Sequence, residues 1–88
     1  IIGRWGGEEF IGVIKNISIT GLKRISEKLR LLCENSVFKM PNGEELSVTV
    51  SIGGTLYELG ESIDEVIARS DSYMYESKDT GRNKTTIK

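Results

Sequence analysis

The chain has 88 residues, a formal net charge of −1, and 28 % charged against 38 % hydrophobic residues. This is enough chain for one small domain with a limited core, of ordinary globular composition. The balanced charge argues against a nucleic-acid polymer as partner, and no apolar run approaches the roughly 20 residues of a membrane span, so the segment is expected to make no membrane contact. No signal-peptide pattern opens the chain, which suits a cytoplasmic domain or the cytoplasmic part of a membrane-anchored protein.

Histidine is absent and Cys33 is the single cysteine. Imidazole acid–base chemistry, histidine metal ligation and an internal disulfide are therefore excluded. Cys33 falls on the apolar side of an expected helix with no histidine to activate it, so it reads as a packing residue. Chemistry must come from carboxylates, lysine, arginine and hydroxyls.

In chain order, IIGRW and FIGVI flank Gly6-Gly7-Glu8-Glu9 and predict a strand–turn–strand unit. Then Leu22, Ile25, Leu29 and Leu32 recur at steps of three and four, the apolar stripe of a helix. Ser18 or Thr20 suits its start and Asn35 its end. VFKM, the turn Pro41-Asn42-Gly43, and LSVTVSIG follow. The last alternates apolar and polar residues as one half-buried strand, with VFKM as hairpin partner. Gly53-Gly54 and the region of Gly60 read as a loop. Ser62-Ile63-Asp64-Glu65 is a capping box opening a second helix. Its buried side is expected at Ile63, Val66, Ile67 and Met74, with Ser70 allowing close approach. Gly81 suits the left-handed end of that helix, and residues 83–87 a short closing strand. The order β-β-α-β-β-α-β predicts an α+β sheet with helices on one face.

The turn and the tail carry the chemistry. Two glycines let a ligand approach the backbone, and two adjacent carboxylates repel unless a cation lies between them. Oxygen-only ligation suits a magnesium ion shared with phosphates. Residue types alone leave a solvated turn open as well. The tail from Lys78 to Lys88 holds Lys78, Arg82, Lys84 and Lys88 against one acid, Asp79. Lys78 and Arg82 read equally as phosphate ligands and as cations favoured by the dipole at a helix C-terminus.

RWGGEEF resembles the signature of the GGDEF family, the diguanylate cyclases, in its GGEEF form. VTVSIGG resembles the family's central strand, and SDSYMYESKDTGRN its ADxALYxAKxxGRN segment, in the right order and spacing. The resemblance runs from about Arg4 to Asn83. It implies a palm or nucleotidyl-cyclase-like α+β fold with a ferredoxin-like core, its antiparallel-rich sheet carrying helices on its faces. It also implies condensation of two GTP molecules to cyclic di-GMP with release of pyrophosphate, on a homodimer, with Mg²⁺ or Mn²⁺.

Carried over residue by residue, Glu8 is the metal-ligating and catalytic carboxylate, and Glu9 assists at the metal and phosphate end. Gly6 and Gly7 admit the nucleotide, Phe10 anchors the next strand in the core, and Lys78 and Arg82 bind phosphate. Asp71 and Tyr75 are expected to pack and hydrogen-bond along the helix. Lys28 reads as a solvated lysine, with product inhibition as the alternative.

The family's opening strand and helices, with the first metal-binding aspartate and the guanine-reading residues, have no counterpart in residues 1–88. The chain is thus expected to be the C-terminal part of one such domain, incomplete at the N-terminus, with uncovered apolar surface and no activity alone. A sensory or receiver domain is expected upstream. The alternative function is an inactive module that holds GTP or cyclic di-GMP and regulates a neighbouring domain.

Overall fold

In the computed structural model of the chain, the described residues are 2–6, as backbone alone, and 9–88. Strand β1 (Ile2–Gly6) pairs antiparallel with β2 (Glu9–Gly12), with Ile2 opposite Gly12 and Gly6 opposite Glu9. The register shifts between Arg4 and Gly6, a bulge of the kind that re-aims a hairpin end. The two paired strands are those expected; residues 7 and 8 between them lie outside the described residues.

Helix α1 (Ile19–Glu34) starts at Ser18, whose Oγ accepts the Gly21 N–H at 3.0 Å and satisfies one of the open donors of the first turn. It ends at Asn35, whose backbone and side-chain N–H groups both donate to the Leu31 carbonyl. The inward face differs from the expected stripe. Leu22 meets the sheet and Ser26 is buried, but Ile25, Leu29 and Leu32 stand 38–57 % exposed. The contact with the sheet is made by Ser26, small enough for close approach, and by Glu27 and Arg30, which reach Thr85 and Asn83 across it. The apolar line Ile25, Leu29 and Leu32 is left uncovered by the described residues.

Strands β3 (Phe38–Lys39) and β4 (Glu45–Leu46) form a short antiparallel hairpin, closed as expected by the Pro41-Asn42-Gly43 turn. Gly43 has φ +87°, and the Asn42 Oδ1 accepts the Glu44 N–H at 3.0 Å. LSVTVSIG is not one strand: β4 stops at Leu46, residues 47–51 are irregular, and β5 (Ile52–Gly54) begins a different sheet. The alternation is real, but its two ends pair with different partners. β4 pairs antiparallel with β3, and β5 pairs parallel with β6 (Thr85–Ile87).

The packed centre is the unit β5–α2–β6, in which α2 (Ile63–Asp79) connects the parallel strands. Gly53 and Gly54 belong to β5 rather than to a loop. A Cβ at Gly53 would lie 2.0 Å from the Met74 nitrogen and 2.4 Å from the Ser70 carbonyl, so α2 rests on the strand backbone. A Cβ at Gly54 would face Leu22 of α1 instead. Successive strand residues face opposite ways, so the two helices cover opposite faces of this sheet, not one.

Ser62 caps α2 as expected, its Oγ accepting the Glu65 N–H at 3.2 Å, while the reciprocal bond of a full capping box is not among those of the described residues. Val66, Ile67 and Met74 are partly covered, whereas Ile63 is 70 % exposed because it sits at the first turn, outside the strand contact. Ser77 is fully buried; its Oγ donates to the Ile52 carbonyl and shares a 2.6 Å hydrogen bond with Thr86 Oγ1. The one large apolar side chain buried among the described residues is Ile87.

Candidate nucleotide site

The sequence-predicted groups lie at two places in the fold. At the hairpin, Gly6 ends β1 and Glu9 begins β2, directly opposite in register. Glu9 is partly exposed, and its carboxylate is a hard oxygen donor of the kind magnesium takes. Gly7 and Glu8, the second glycine and the expected metal ligand, lie outside the described residues. Phe10 is 67 % exposed and does not anchor β2 in a core, because β1 and β2 contact only each other among the described elements.

The second place is the end of α2. Thr80 closes the helix by donating its N–H and its hydroxyl to the Glu76 carbonyl. Gly81 then takes φ +125°, and the Arg82 N–H returns to the Ser77 carbonyl at 3.0 Å. That is the long bond of a Schellman cap, which reverses the chain immediately after the helix. Lys78 lies in the last turn, its Nζ 5.3 Å from the centroid of the Tyr75 ring. Tyr75 is half-exposed, so it supports the ammonium of Lys78 and does not pack the interior. Arg82 is exposed, and among the described residues no carboxylate pairs with it or with Lys78. The other ends of the tail are engaged: Lys84 donates to the Thr80 carbonyl and Lys88 pairs with Glu76. Of the four tail cations only Lys88 has an acidic partner among the described residues; Lys78 and Arg82, the two singled out in the sequence, share that lack with Lys84 and with several surface lysines and arginines.

Two polar clusters were not anticipated. Arg30 of α1 pairs with Glu27 and Glu34 on its own helix, and its guanidinium holds the Glu27 carboxyl below the usual range. The same guanidinium donates from Nη1 to Asn83 Oδ1 at 3.0 Å, while Asn83 Nδ2 donates to Glu34 Oε1 at 2.9 Å. Helical spacing marks the Arg30–Glu34 pair in the sequence, but the partner comes from the far end of the chain. In the other cluster Arg69 of α2 grips Glu61 with both terminal nitrogens, and also reaches the Leu56 carbonyl and Thr55 Oγ1. These bonds, with a further one from the Glu58 N–H, lower the Glu61 carboxyl from 4.5 to about 2.

Comparison with known proteins places this arrangement in context. The family model described as diguanylate cyclase, GGDEF domain, matches residues 1–84. Diguanylate cyclase A of Treponema denticola is 38 % identical over 85 residues, covering 96 % of this chain and 23 % of that protein. The response regulator PleD of Caulobacter vibrioides is 36 % identical over 83 residues, 91 % of this chain and 18 % of PleD. The crystal structure of the GGDEF domain of DgcB from Caulobacter crescentus in complex with c-di-GMP superposes with a TM-score of 0.92 at 31 % identity, covering 98 % of this chain and 52 % of that one. The active GGEEF domain of a diguanylate cyclase from Vibrio cholerae gives a TM-score of 0.74 at 27 % identity, over 98 % of this chain and 54 % of that one. The chain therefore spans less than a quarter of these curated relatives and about half of these solved chains.

Proposed function

Because the chain belongs to the GGDEF domain family of diguanylate cyclases, we propose that the protein containing it condenses two GTP molecules into cyclic di-GMP and releases two pyrophosphates. Each 3′-hydroxyl attacks the α-phosphate of the opposite nucleotide, so two copies of the domain must face one another. The observation that carries this reading is the end of α2. There a Schellman cap sets Arg82 just beyond Lys78, and neither cation has an acidic partner among the described residues. Two cations four positions apart in sequence at a capped helix end, both free of carboxylates among the described residues, suit a triphosphate.

In this reading Lys78 and Arg82 hold the phosphates, and Gly6 and Gly7 leave the hairpin backbone open to the nucleotide. Glu8 ligates the metal, with Glu9 beside it; both offer the hard oxygen donors that magnesium or manganese requires. The ion, when bound, supplies phosphate charge neutralisation and a more acidic hydroxyl. Residues 1–88 form the C-terminal part of the domain, and the polypeptide alone is inactive, since base recognition and the other metal ligand come from elsewhere. The domain acts in the cytoplasm, downstream of a sensory or receiver domain that brings two copies together.

The test uses the full-length protein with GTP and Mg²⁺. Product is expected by chromatography from the wild type and none from Glu8→Gln; synthesis retained in that variant removes Glu8 from the metal role. A second reading, a module that binds cyclic di-GMP without making it, is favoured by the DgcB structures solved with that nucleotide. It predicts tight nucleotide binding and no product from the wild type.

A further inference from the structure

Three consecutive residues after α2, Gly81, Arg82 and Asn83, have φ values of +125°, +61° and +50°. Glycine adopts such values without cost and asparagine does so readily, but Arg82 does so only where the surrounding structure holds it. For Arg82 the structure shows a single backbone bond, to the Ser77 carbonyl. Asn83 is held three times over: its N–H donates to Ser51 Oγ at 3.2 Å, its Oδ1 accepts from Arg30, and its Nδ2 donates to Glu34. Arg30 is itself fixed, its Nε donating to both Glu27 oxygens at 3.0 and 3.1 Å. The guanidinium of Arg82, one residue away, has no acidic partner among the described residues. The strained residue is Arg82, and the bonds that hold the turn fall on its neighbour Asn83 while the Arg82 charge is left available.

We infer that Arg30 and Glu34 of α1 act through Asn83 as positioning residues, clamping the left-handed turn so that Arg82 is presented to a nucleoside triphosphate. This rests on the phosphate-binding role proposed for Arg82, and it links that role to a helix that does not carry it. A free arginine on an untethered turn would sample many positions and lose that mobility on each binding event. The amide clamp removes part of this cost in advance.

The experiment is a double-mutant cycle in the full-length protein. It reads KM and kcat for GTP together with calorimetric binding of a non-hydrolysable GTP analogue. Asn83→Gly retains the freedom for positive φ and deletes only the amide; Arg30→Gln deletes the guanidinium on the other side. Each is expected to weaken analogue binding and raise KM by about tenfold, a loss of about 1.4 kcal/mol, with kcat changed less. In an Arg82→Ala background the same two substitutions are expected to add less than about twofold, since the group they position is gone.

Equal effects in both backgrounds would overturn the inference, because they would mark a general structural contribution. Wild-type binding and kinetics in Asn83→Gly would also overturn it, and that variant decides the matter if Arg30→Gln does not fold. If the wild type binds and turns over GTP but Arg82→Ala changes neither, the phosphate role of Arg82 falls and the inference with it. A wild type that neither binds nor consumes GTP overturns the proposed function itself. These outcomes are distinct measurements.

Discussion

A single methyl group at Gly53 would separate α2 from β5. The atoms it would strike are backbone, the Met74 nitrogen and the Ser70 carbonyl, and no rotamer change relieves them. Gly53→Ala is therefore expected to destabilise the domain by about 3 kcal/mol, at the upper end of overpacking effects, read by chemical denaturation of the full-length protein. Ser77 serves the same contact differently. Its hydroxyl satisfies both the Ile52 carbonyl and Thr86, so Ser77→Ala should cost about 1–3 kcal/mol through the buried groups it leaves unpaired. Glu61 gives a pH signature. Its carboxyl is lowered from 4.5 to about 2 in the fold, so its contribution is complete above pH 4.5 and is lost as the pH falls toward 2. Urea denaturation at a series of pH values should show this acid loss in the wild type and a smaller one in Glu61→Gln. Single residues were partly legible in advance. Gly81 and the capping serine Ser62 act on their neighbours in sequence, and such local geometry reads directly. Gly53, Asn83 and Arg69 act on distant segments, so their residue types gave no indication of which partner they meet.

At the level of elements, both helices begin where side chain–backbone caps predict, and each cap should count separately. Ser62→Ala is expected to cost about 1 kcal/mol of stability, measured by thermal unfolding, because the Glu65 N–H loses its acceptor. Strands were harder to read. Alternation over residues 46–52 is a sound indication of extended chain, yet it carries no information about which strand lies alongside. Here one end joins a peripheral hairpin and the other a parallel pair closed by a residue more than thirty positions later. Helix α1 shows the converse. Its apolar periodicity correctly identified a helix but not the side that meets this sheet, because Ser26, Glu27 and Arg30 make the contact through hydrogen bonds. Periodicity measures where apolar residues fall, not which of them the described residues cover.

Across the whole molecule, the described residues bury one large apolar side chain while Phe10, Leu32, Val37 and Phe38 remain at least half exposed. That agrees with a chain spanning about half of its solved relatives. Residues 1–88 alone are expected to bind a hydrophobic dye, to self-associate and to form no cyclic di-GMP, as read by fluorescence, sedimentation and chromatography. A monodisperse monomer with a sharp unfolding transition would count against this. The family and the α+β class were legible because three separated motifs occur in order. Lys78 and Arg82 were candidates from their sequence motif alone, whereas the Arg30–Glu34–Asn83 cluster next to Arg82 emerges only once α1 and the chain end are brought together.

The parallel register of β5 on β6 also has a kinetic consequence. Ile52 and Thr85 flank the whole of α2, so their ladder cannot close until that helix is formed and laid across Gly53. Non-local closure of this kind is slow to form, and the β5–α2–β6 unit is expected to be the last region to open. The Ile52 amide, bonded to the Lys84 carbonyl at 2.8 Å, should then exchange with solvent deuterium more slowly than any amide of the β3–β4 hairpin. The chain end that carries Arg82 leads directly into β6 and is then expected to be released late in unfolding.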